Sequence, residues 1–314
     1  MGDLPPIAPS VLKAIGSTPV VRLGKLVPSG SADVLVKLEY FNPTGSYKDR
    51  MALALIEEAE ARGDLRPGMA VVELTGGSTG SSLALVCAVK GYRLSVVSSD
   101  AFAQEKRDTM QALGAELHLV ASGDGKVSPG LVARLVEKAE TLAEKDGTYY
   151  TNQLHNPDSV VGYRKIGAEY IRQVDGAIDA FCGGVGTAGM LMGVAGELRK
   201  AYPEVRIVAL EPAASAVLSG GEPGAHHVEG IGLGTRPTLL DPALYDEARG
   251  IEEREARDMA RRLAREEGIF SGTSTGLNVV AALQLAAELG QGKTVATVAV
   301  DTGLKYLSGD LFGH

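Results

Sequence analysis

The chain is predicted to be an α/β protein with two α/β domains and mostly parallel sheets. Three observations lead there. Short β-branched runs alternate with amphipathic helical segments in two separate series, one starting at Ala70 and the other at Ser159. The irregular stretch Asn152-Gln153-Leu154-His155-Asn156-Pro157 parts the two series. Many of the 40 glycines in the 314 residues fall in clusters directly after predicted strands, where the loops of an open α/β sheet meet their ligand.

The elements follow in order. An N-terminal arm leads into two β-type runs, Pro19 to Leu23 and Val34 to Leu38, bounded by Gly, Pro and Ser. Turn chemistry in Asn42-Pro43-Thr44-Gly45 comes next, after which Met51, Leu55 and Ala59 recur at helical spacing, so a helix is expected from about Ser46 to Gly63. The first series reads as strand Ala70 to Leu74, helix Ser82 to Lys90, strand Leu94 to Ser98, helix Gln104 to Leu113 and strand Glu116 to Val120. A turn over 122–126, a helix to Lys145 and a short strand Thr148 to Thr151 complete it. The second series reads as helix Ser159 to Arg172, strand Ile178 to Cys182, helix Met190 to Lys200 and strand Val205 to Leu210. Residues 213–250 read as irregular. Ala256, Met259, Ala260, Leu263 and Ala264 mark an amphipathic helix ending at Gly268, and a helix to Leu289 and a strand from Thr294 to Val300 follow. The expected division is a smaller domain over 42–152 and a larger one combining 1–41 with 153–314.

Composition narrows the function. A net charge of −8, with both signs mixed along the chain, argues against nucleic acid or an anionic membrane as main partner and favours a small molecule. Cys87 and Cys182 lie far apart without a Cys-x-x-Cys spacing, so neither a disulfide framework nor a zinc site is indicated, and a cytoplasmic protein fits. Met1 to Pro6 carries no export or myristoylation signal, and no apolar run reaches membrane-spanning length. His226 and His227 are adjacent and face opposite ways in an extended chain, so no metal ligand set is expected. Cys182 reads as a small buried apolar residue, and His155 as structural, with acid or base work near the boundary as its alternative.

Four stretches can carry chemistry. Lys48 falls in the first turn of its helix, where the dipole favours acids; a lysine held there is pressed to lose its proton, and a neutral amine attacks aldehydes. A solvated surface lysine is the alternative on that stretch alone. Gly184-Val185-Gly186-Thr187-Ala188-Gly189 satisfies G-x-G-x-x-G between a strand and a helix, with Glu211 ending the next strand. That pattern fits a dinucleotide fingerprint, and physically it offers backbone N–H groups to an anion, most naturally a phosphate. Thr75-Gly76-Gly77-Ser78-Thr79-Gly80 offers hydroxyls and N–H groups at another helix start, suited to a carboxylate or phosphate. Ser274, before the last long helix, is either a helix cap or a ligand contact. An activatable lysine with two anion cradles suggests an aldehyde cofactor bearing a phosphate and an amino acid substrate, which pyridoxal 5'-phosphate would satisfy.

The sequence resembles the cysteine synthase (O-acetylserine sulfhydrylase) and cystathionine β-synthase branch of fold-type II, tryptophan synthase β-like, pyridoxal-phosphate enzymes. The likeness runs from Gly16-Ser-Thr-Pro-Val-Val-Arg22 to Tyr306-Leu-Ser308, with the motifs in the family's order. It implies that Lys48 in Asn42-Pro-Thr-Gly-Ser-Tyr-Lys48 is the Schiff-base lysine. By the same resemblance Thr75, Gly76, Gly77, Ser78 and Thr79 match the family's T-S-G-N-T-G loop, which binds the substrate carboxylate together with a glutamine aligned to Gln153. Gly186-Thr187-Ala188-Gly189-Met190, following Gly184, matches the phosphate loop. Ser274 aligns with the serine that contacts the pyridine nitrogen, Ser78 with a residue near the cofactor hydroxyl, and Gly230 and Arg236 lie in or just after a segment near the site entrance.

A neutral hydroxyl against the pyridine nitrogen suits chemistry at Cβ better than transamination. The resemblance therefore implies β-replacement on an O-activated L-serine through an aminoacrylate, with sulfide giving L-cysteine: a transferase or lyase of cysteine biosynthesis, homodimeric, with a serine acetyltransferase as possible partner. Another nucleophile, giving cystathionine or a non-proteinogenic amino acid, and a serine/threonine dehydratase are alternatives within the cofactor class. An NAD-dependent oxidoreductase is the alternative outside it. The chain departs from the family's usual residues at Gly76, often Ser; at Ser78, usually Asn; at Ala188 and Met190, usually Gly and Thr; and at Thr235-Arg236, commonly Phe-Ile.

Overall fold

The computed structural model describes residues 7–123, 125 and 129–313. The segment Met1 to Pro6 and positions 124 and 126 of the expected turn lie outside them. The described residues form two compact units, one of residues 7–17, 42–44 and 48–151, the other of residues 18–41, 45–47 and 152 onward. The arm up to Ser17 thus groups with the smaller unit, and the two β-type runs that follow it group with the larger.

In the smaller unit, α1 (Lys48–Arg62) is followed by β3 (Ala70–Leu74), α2 (Ser78–Lys90), β4 (Arg93–Ser99), α3 (Gln104–Ala112), β5 (Glu116–Val120), α4 (Pro129–Ala143) and β6 (Thr148–Tyr150), counting β1 and β2 of the larger unit first. The sheet order is β5-β4-β3-β6, parallel throughout. Adjacent side chains of a strand face opposite ways, so Val71 and Val96 pack with Ile56, Leu83 and Met110, while Val72 and Val97 pack with Leu131, Leu135 and Leu142 of α4. Helix α2 begins four residues earlier than the apolar pattern predicted. Its first turn, Ser78 to Ser81, is polar and glycine-containing and carries no periodicity to read.

The larger unit holds β1 (Val20–Arg22), β2 (Asp33–Leu38), α5 (Asp158–Gln173), β7 (Ala180–Gly184), α6 (Gly189–Ala201), β8 (Arg206–Pro212), β9 (Glu247–Ile251), α7 (Glu253–Arg262), α8 (Thr273–Leu289) and β10 (Thr294–Ala299). Its sheet runs β1-β2-β10-β7-β8-β9, with β1 antiparallel and the rest parallel. Strand β9 corrects the expectation that 213–250 is wholly irregular. It is an edge strand whose Glu247 and Arg249 pair with each other and with Arg206 and Glu288, and such charge is how an exposed edge is protected from further pairing. It also hides the apolar alternation by which a strand is recognised. The amphipathic helix expected to end at Gly268 does so, with Gly268 as its left-handed C-cap, although its last turn, Leu263–Glu267, is π-helical. No helix among the described residues is long and apolar enough to cross a membrane.

One buried ion pair anchors β2 to α5. Lys37 is fully buried, and its Nζ lies 2.8 Å from Glu169 Oε2 and donates to Thr18 O at 3.0 Å and Gln173 Oε1 at 2.7 Å. Removing one partner strands the other charge, which costs roughly 3–5 kcal/mol. Lys37→Ala is therefore expected to lower the urea midpoint sharply, and Lys37→Met combined with Glu169→Leu to recover most of the loss.

Candidate active site

Lys48 is the first residue of α1. The entry of that helix is fixed by Asp49, whose Oδ2 accepts the Thr44 N–H at 2.8 Å and whose Oδ1 accepts the Thr44 hydroxyl at 2.5 Å. An acid in the first turn suits the dipole, and here it also ties the preceding turn to the helix start. The Thr44 hydroxyl also lies 3.3 Å from Ser82 Oγ of α2, so the stretch before Lys48 is tied to the helix that the Thr75 loop opens. In that loop the Gly77 N–H donates to Thr75 Oγ1 at 3.1 Å, and Gly77 is the N-cap of α2 without a side-chain cap bond. Ser78 and Thr79 then begin the first turn, the end of a helix that favours a negative ligand. Gly76 meets the ring of Phe102: a Cβ there would lie 2.1 Å from Phe102 Cγ. The structure thus brings Lys48, Thr75, Gly76, Gly77, Ser78 and Thr79 into the smaller unit.

The glycine loop of the larger unit joins β7 to α6. Ala188, the N-cap of α6, has φ 70°, and the first helical bond runs from Met192 N–H to Ala188 C=O at 3.0 Å. The N–H groups of Gly189, Met190 and Leu191 consequently point out of the helix start, ready for an anion. Gly184 does not contribute its amide as expected, because that N–H donates to Asn278 Oδ1 at 2.8 Å. The Met190 side chain turns back onto β7, where its Cε would lie 2.6 Å from a Cβ at Gly183, leaving only its backbone for a ligand. The loop is closed by a second one. A Cβ at Gly186 would fall 2.2 Å from Gly230 O, and the Gly232 N–H donates to Val185 O at 3.0 Å. His226, which sequence reasoning left without a role, staples this second loop: its Nδ1 accepts from Val228 N–H at 3.2 Å and its Nε2 donates to Gly232 O at 2.8 Å.

A non-glycine residue in the left-handed region costs roughly 1–2 kcal/mol, so Ala188 holds the helix start in a strained form. Glycine relieves that strain at an entropic cost of roughly 0.5–1 kcal/mol. Ala188→Gly is expected to raise stability by about 0.5–1 kcal/mol, read as a higher urea midpoint; a drop would contradict the strain.

Ser274 is buried in the first turn of α8, two places past its N-cap Gly272, and so is not the cap itself. Gln153 follows Asn152, which has φ 44°. Arg236 is exposed, and its Nη2 donates to the Tyr245 hydroxyl at 2.9 Å; among the described residues no carboxylate lies within ion-pair distance of it. Gln153, Gly230, Arg236 and Ser274 all belong to the larger unit. Glu211, the acid of the dinucleotide pattern, is consumed by its own loop, accepting from Leu218 N–H at 2.7 Å, Ser219 N–H at 2.9 Å and Ser219 Oγ at 2.7 Å. Three of the roughly four acceptor positions of that carboxylate are thus taken up within its own loop. Burial pushes the Cys182 thiol up to about 12, which removes it as a nucleophile.

In the larger unit, the amides at the start of α6 and the buried neutral hydroxyl of Ser274 suit a phosphate-bearing ring; in the smaller unit, a lysine at a helix start suits an aldehyde. Comparison with known proteins agrees. Residues 11–301 match the family described as "Pyridoxal-phosphate dependent enzyme". A cysteine synthase of Staphylococcus aureus is 46% identical over 307 residues, covering 96% of each chain. The crystal structure of an O-ureido-L-serine synthase superimposes with a TM-score of 0.91 at 41% identity, over 98% of this chain and 96% of that one. A cysteine synthase from Entamoeba histolytica gives 0.92 at 34% identity, over 99% and 93%.

Proposed function

This chain belongs to the family of pyridoxal-phosphate dependent enzymes, with their fold-type II architecture, and on that premise we propose that it exchanges the β-substituent of an O-activated L-serine, such as O-acetylserine, for sulfide, making L-cysteine. The observation that carries this reading is the 46% identity to a cysteine synthase along 96% of both chains.

Bound pyridoxal phosphate supplies an aldehyde for a lysine amine and an electron-withdrawing ring that acidifies the Cα proton of an amino acid. The chain's own residues do the rest. The Lys48 amine holds the resting cofactor, takes the Cα proton once displaced, and returns it. The amides at the start of α6, with the Thr187 hydroxyl and the glycine-lined wall of Gly184 and Gly186, hold the phosphate. Ser274 offers the ring nitrogen a hydroxyl without forcing a proton onto it, which limits electron withdrawal and favours loss of a β-substituent. Thr75, Gly76, Gly77, Ser78, Thr79 and Gln153 receive the substrate carboxylate. The smaller unit is the substrate-carboxylate domain and the larger the phosphate domain. The protein acts as a cytoplasmic homodimer, with a serine acetyltransferase as its candidate partner; its two free, buried cysteines suit a reducing compartment.

Mass spectrometry of the products tests the reading. Purified enzyme given O-acetylserine and sulfide should yield cysteine and acetate. Pyruvate and ammonia from serine, with no cysteine, would instead assign a dehydratase.

Arg236 favours one refinement. A guanidinium held by a neutral phenol keeps its charge for an anion, so the enzyme should prefer a substrate or nucleophile with an extra negative charge, such as a phosphorylated serine or an amino acid. Loss of a charge-assisted contact costs about 1.5–3 kcal/mol. Arg236→Ala should therefore lower kcat/KM for the anionic substrate by roughly ten- to a hundredfold and leave a neutral one nearly untouched. Equal losses for both would place Arg236 outside the site.

A further inference from the structure

We propose that Phe102 is a positioning residue of this enzyme: its ring occupies the space of a side chain at Gly76 and thereby sets the geometry of the loop that receives the substrate carboxylate. The inference rests on the functional reading above, which assigns that loop its ligand.

The ring fills the place of the missing side chain. A Cβ built on Gly76 would lie 2.1, 2.2 and 2.4 Å from Cγ, Cδ1 and Cδ2 of Phe102, so the ring rests with several atoms directly against the Gly76 backbone. The opposite side of the loop is packed as well, since a Cβ at Gly80 would meet Met110 Sδ at 2.5 Å and Thr75 Cγ2 at 2.9 Å. Phe102 is itself anchored. It packs on the rim of the apolar cluster that includes Val72, Val97 and Leu131, against which Val120 and Tyr150 also pack.

The backbone around Phe102 is braced in turn. Its N–H donates to Ser99 O at 3.2 Å, the Ala101 N–H donates to Ser99 Oγ at 3.2 Å, and Asp100 Oδ1 accepts from Ser122 N–H at 2.7 Å. Where the resembling family often carries a serine in the loop itself, this chain carries a glycine and an aromatic delivered from the β4–α3 connection. The two positions therefore act as one unit, and neither substitution is tolerated alone.

An aromatic ring at the edge of a core would matter for stability whatever lay beside it. A positioning role predicts two further things: that the loss falls on binding of the amino acid substrate, and that it is coupled to position 76. Misplacing the loop by a fraction of an ångström weakens the carboxylate contacts while Lys48 and the cofactor cradle keep their own supports.

The test measures KM for O-acetylserine and kcat at saturating sulfide on the holoenzyme, alongside urea midpoints. Gly76→Ala, whose methyl group displaces the ring, and Phe102→Leu, which fills the cluster but cannot lie flat on Gly76, should each raise KM about tenfold with a smaller change in kcat. Phe102→Tyr, which keeps the ring, should stay within about twofold of wild type. Gly76→Ala combined with Phe102→Ala should regain most of the KM lost by Gly76→Ala alone. Val120→Ala trims the same cluster and should lower the urea midpoint without raising KM. Additive effects at 76 and 102, or a KM rise in Val120→Ala as large as in Phe102→Leu, overturn the inference while the wild type still makes cysteine. A wild type that makes no cysteine overturns the functional reading and this inference with it.

Discussion

Lys48→Ala is expected to abolish turnover while leaving the protein folded. The substitution removes both the amine that fixes the cofactor aldehyde and the group that carries the Cα proton, and general acid–base catalysis alone contributes roughly 10²–10⁴ in rate. A fall in kcat of at least about 10³ should appear in the cysteine assay. The helix itself has little to lose. Its entry is held by Asp49 and Thr44, and alanine has the best intrinsic helix propensity. The α6 cradle is untouched, so the variant should still take up pyridoxal phosphate, in dialysable form. A variant with more than a tenth of wild-type kcat would show that another base does the work.

Gly186→Ala should also produce a large effect, at the cofactor rather than the chemical step. The new methyl group would sit 2.2 Å from a backbone oxygen, that of Gly230, and backbone cannot swing aside as a flexible side chain does. The glycine loop and the Gly230 loop must separate, at a strain of about 1–3 kcal/mol. They are also joined by the bond from Gly232 N–H to Val185 O at 3.0 Å, so the displacement reaches the wall of the anion cradle. Affinity for pyridoxal phosphate should fall by roughly ten- to a hundredfold, measured by titrating the apoenzyme, and excess cofactor should restore much of the activity. Unchanged affinity would mean that the phosphate is held elsewhere.

The features legible in the sequence are those encoded locally. Asn42-Pro43-Thr44-Gly45 followed by apolar residues at helical spacing placed Lys48 at a helix start, and the helix begins at that residue. Apolar runs separated by glycine clusters announced the parallel strands, several to within a residue or two, and the order of the motifs pointed to the family that the full-length comparisons bear out. The features that stayed hidden depend on residues far apart in the chain. Asn278 takes the amide of Gly184 across 94 positions, and nothing near either residue signals it. Gly186 reads as a phosphate-loop glycine from its spacing, yet the reason it cannot carry a side chain is Gly230 O. Phe102 looks like an ordinary core aromatic until its partner, Gly76, is seen. Strand β9 was missed for the opposite reason: Glu247 and Arg249 are charged because the strand lies at an edge, so the pattern that identifies buried strands is absent there.

The role of Lys48 is open to direct chemical observation. Reducing the holoenzyme with borohydride fixes the cofactor to whichever lysine holds it, and digestion followed by mass spectrometry locates the added mass. The account predicts the label on the peptide containing Lys48 and on no other lysine. A label on Lys37 or Lys305, or none on any peptide, would contradict it.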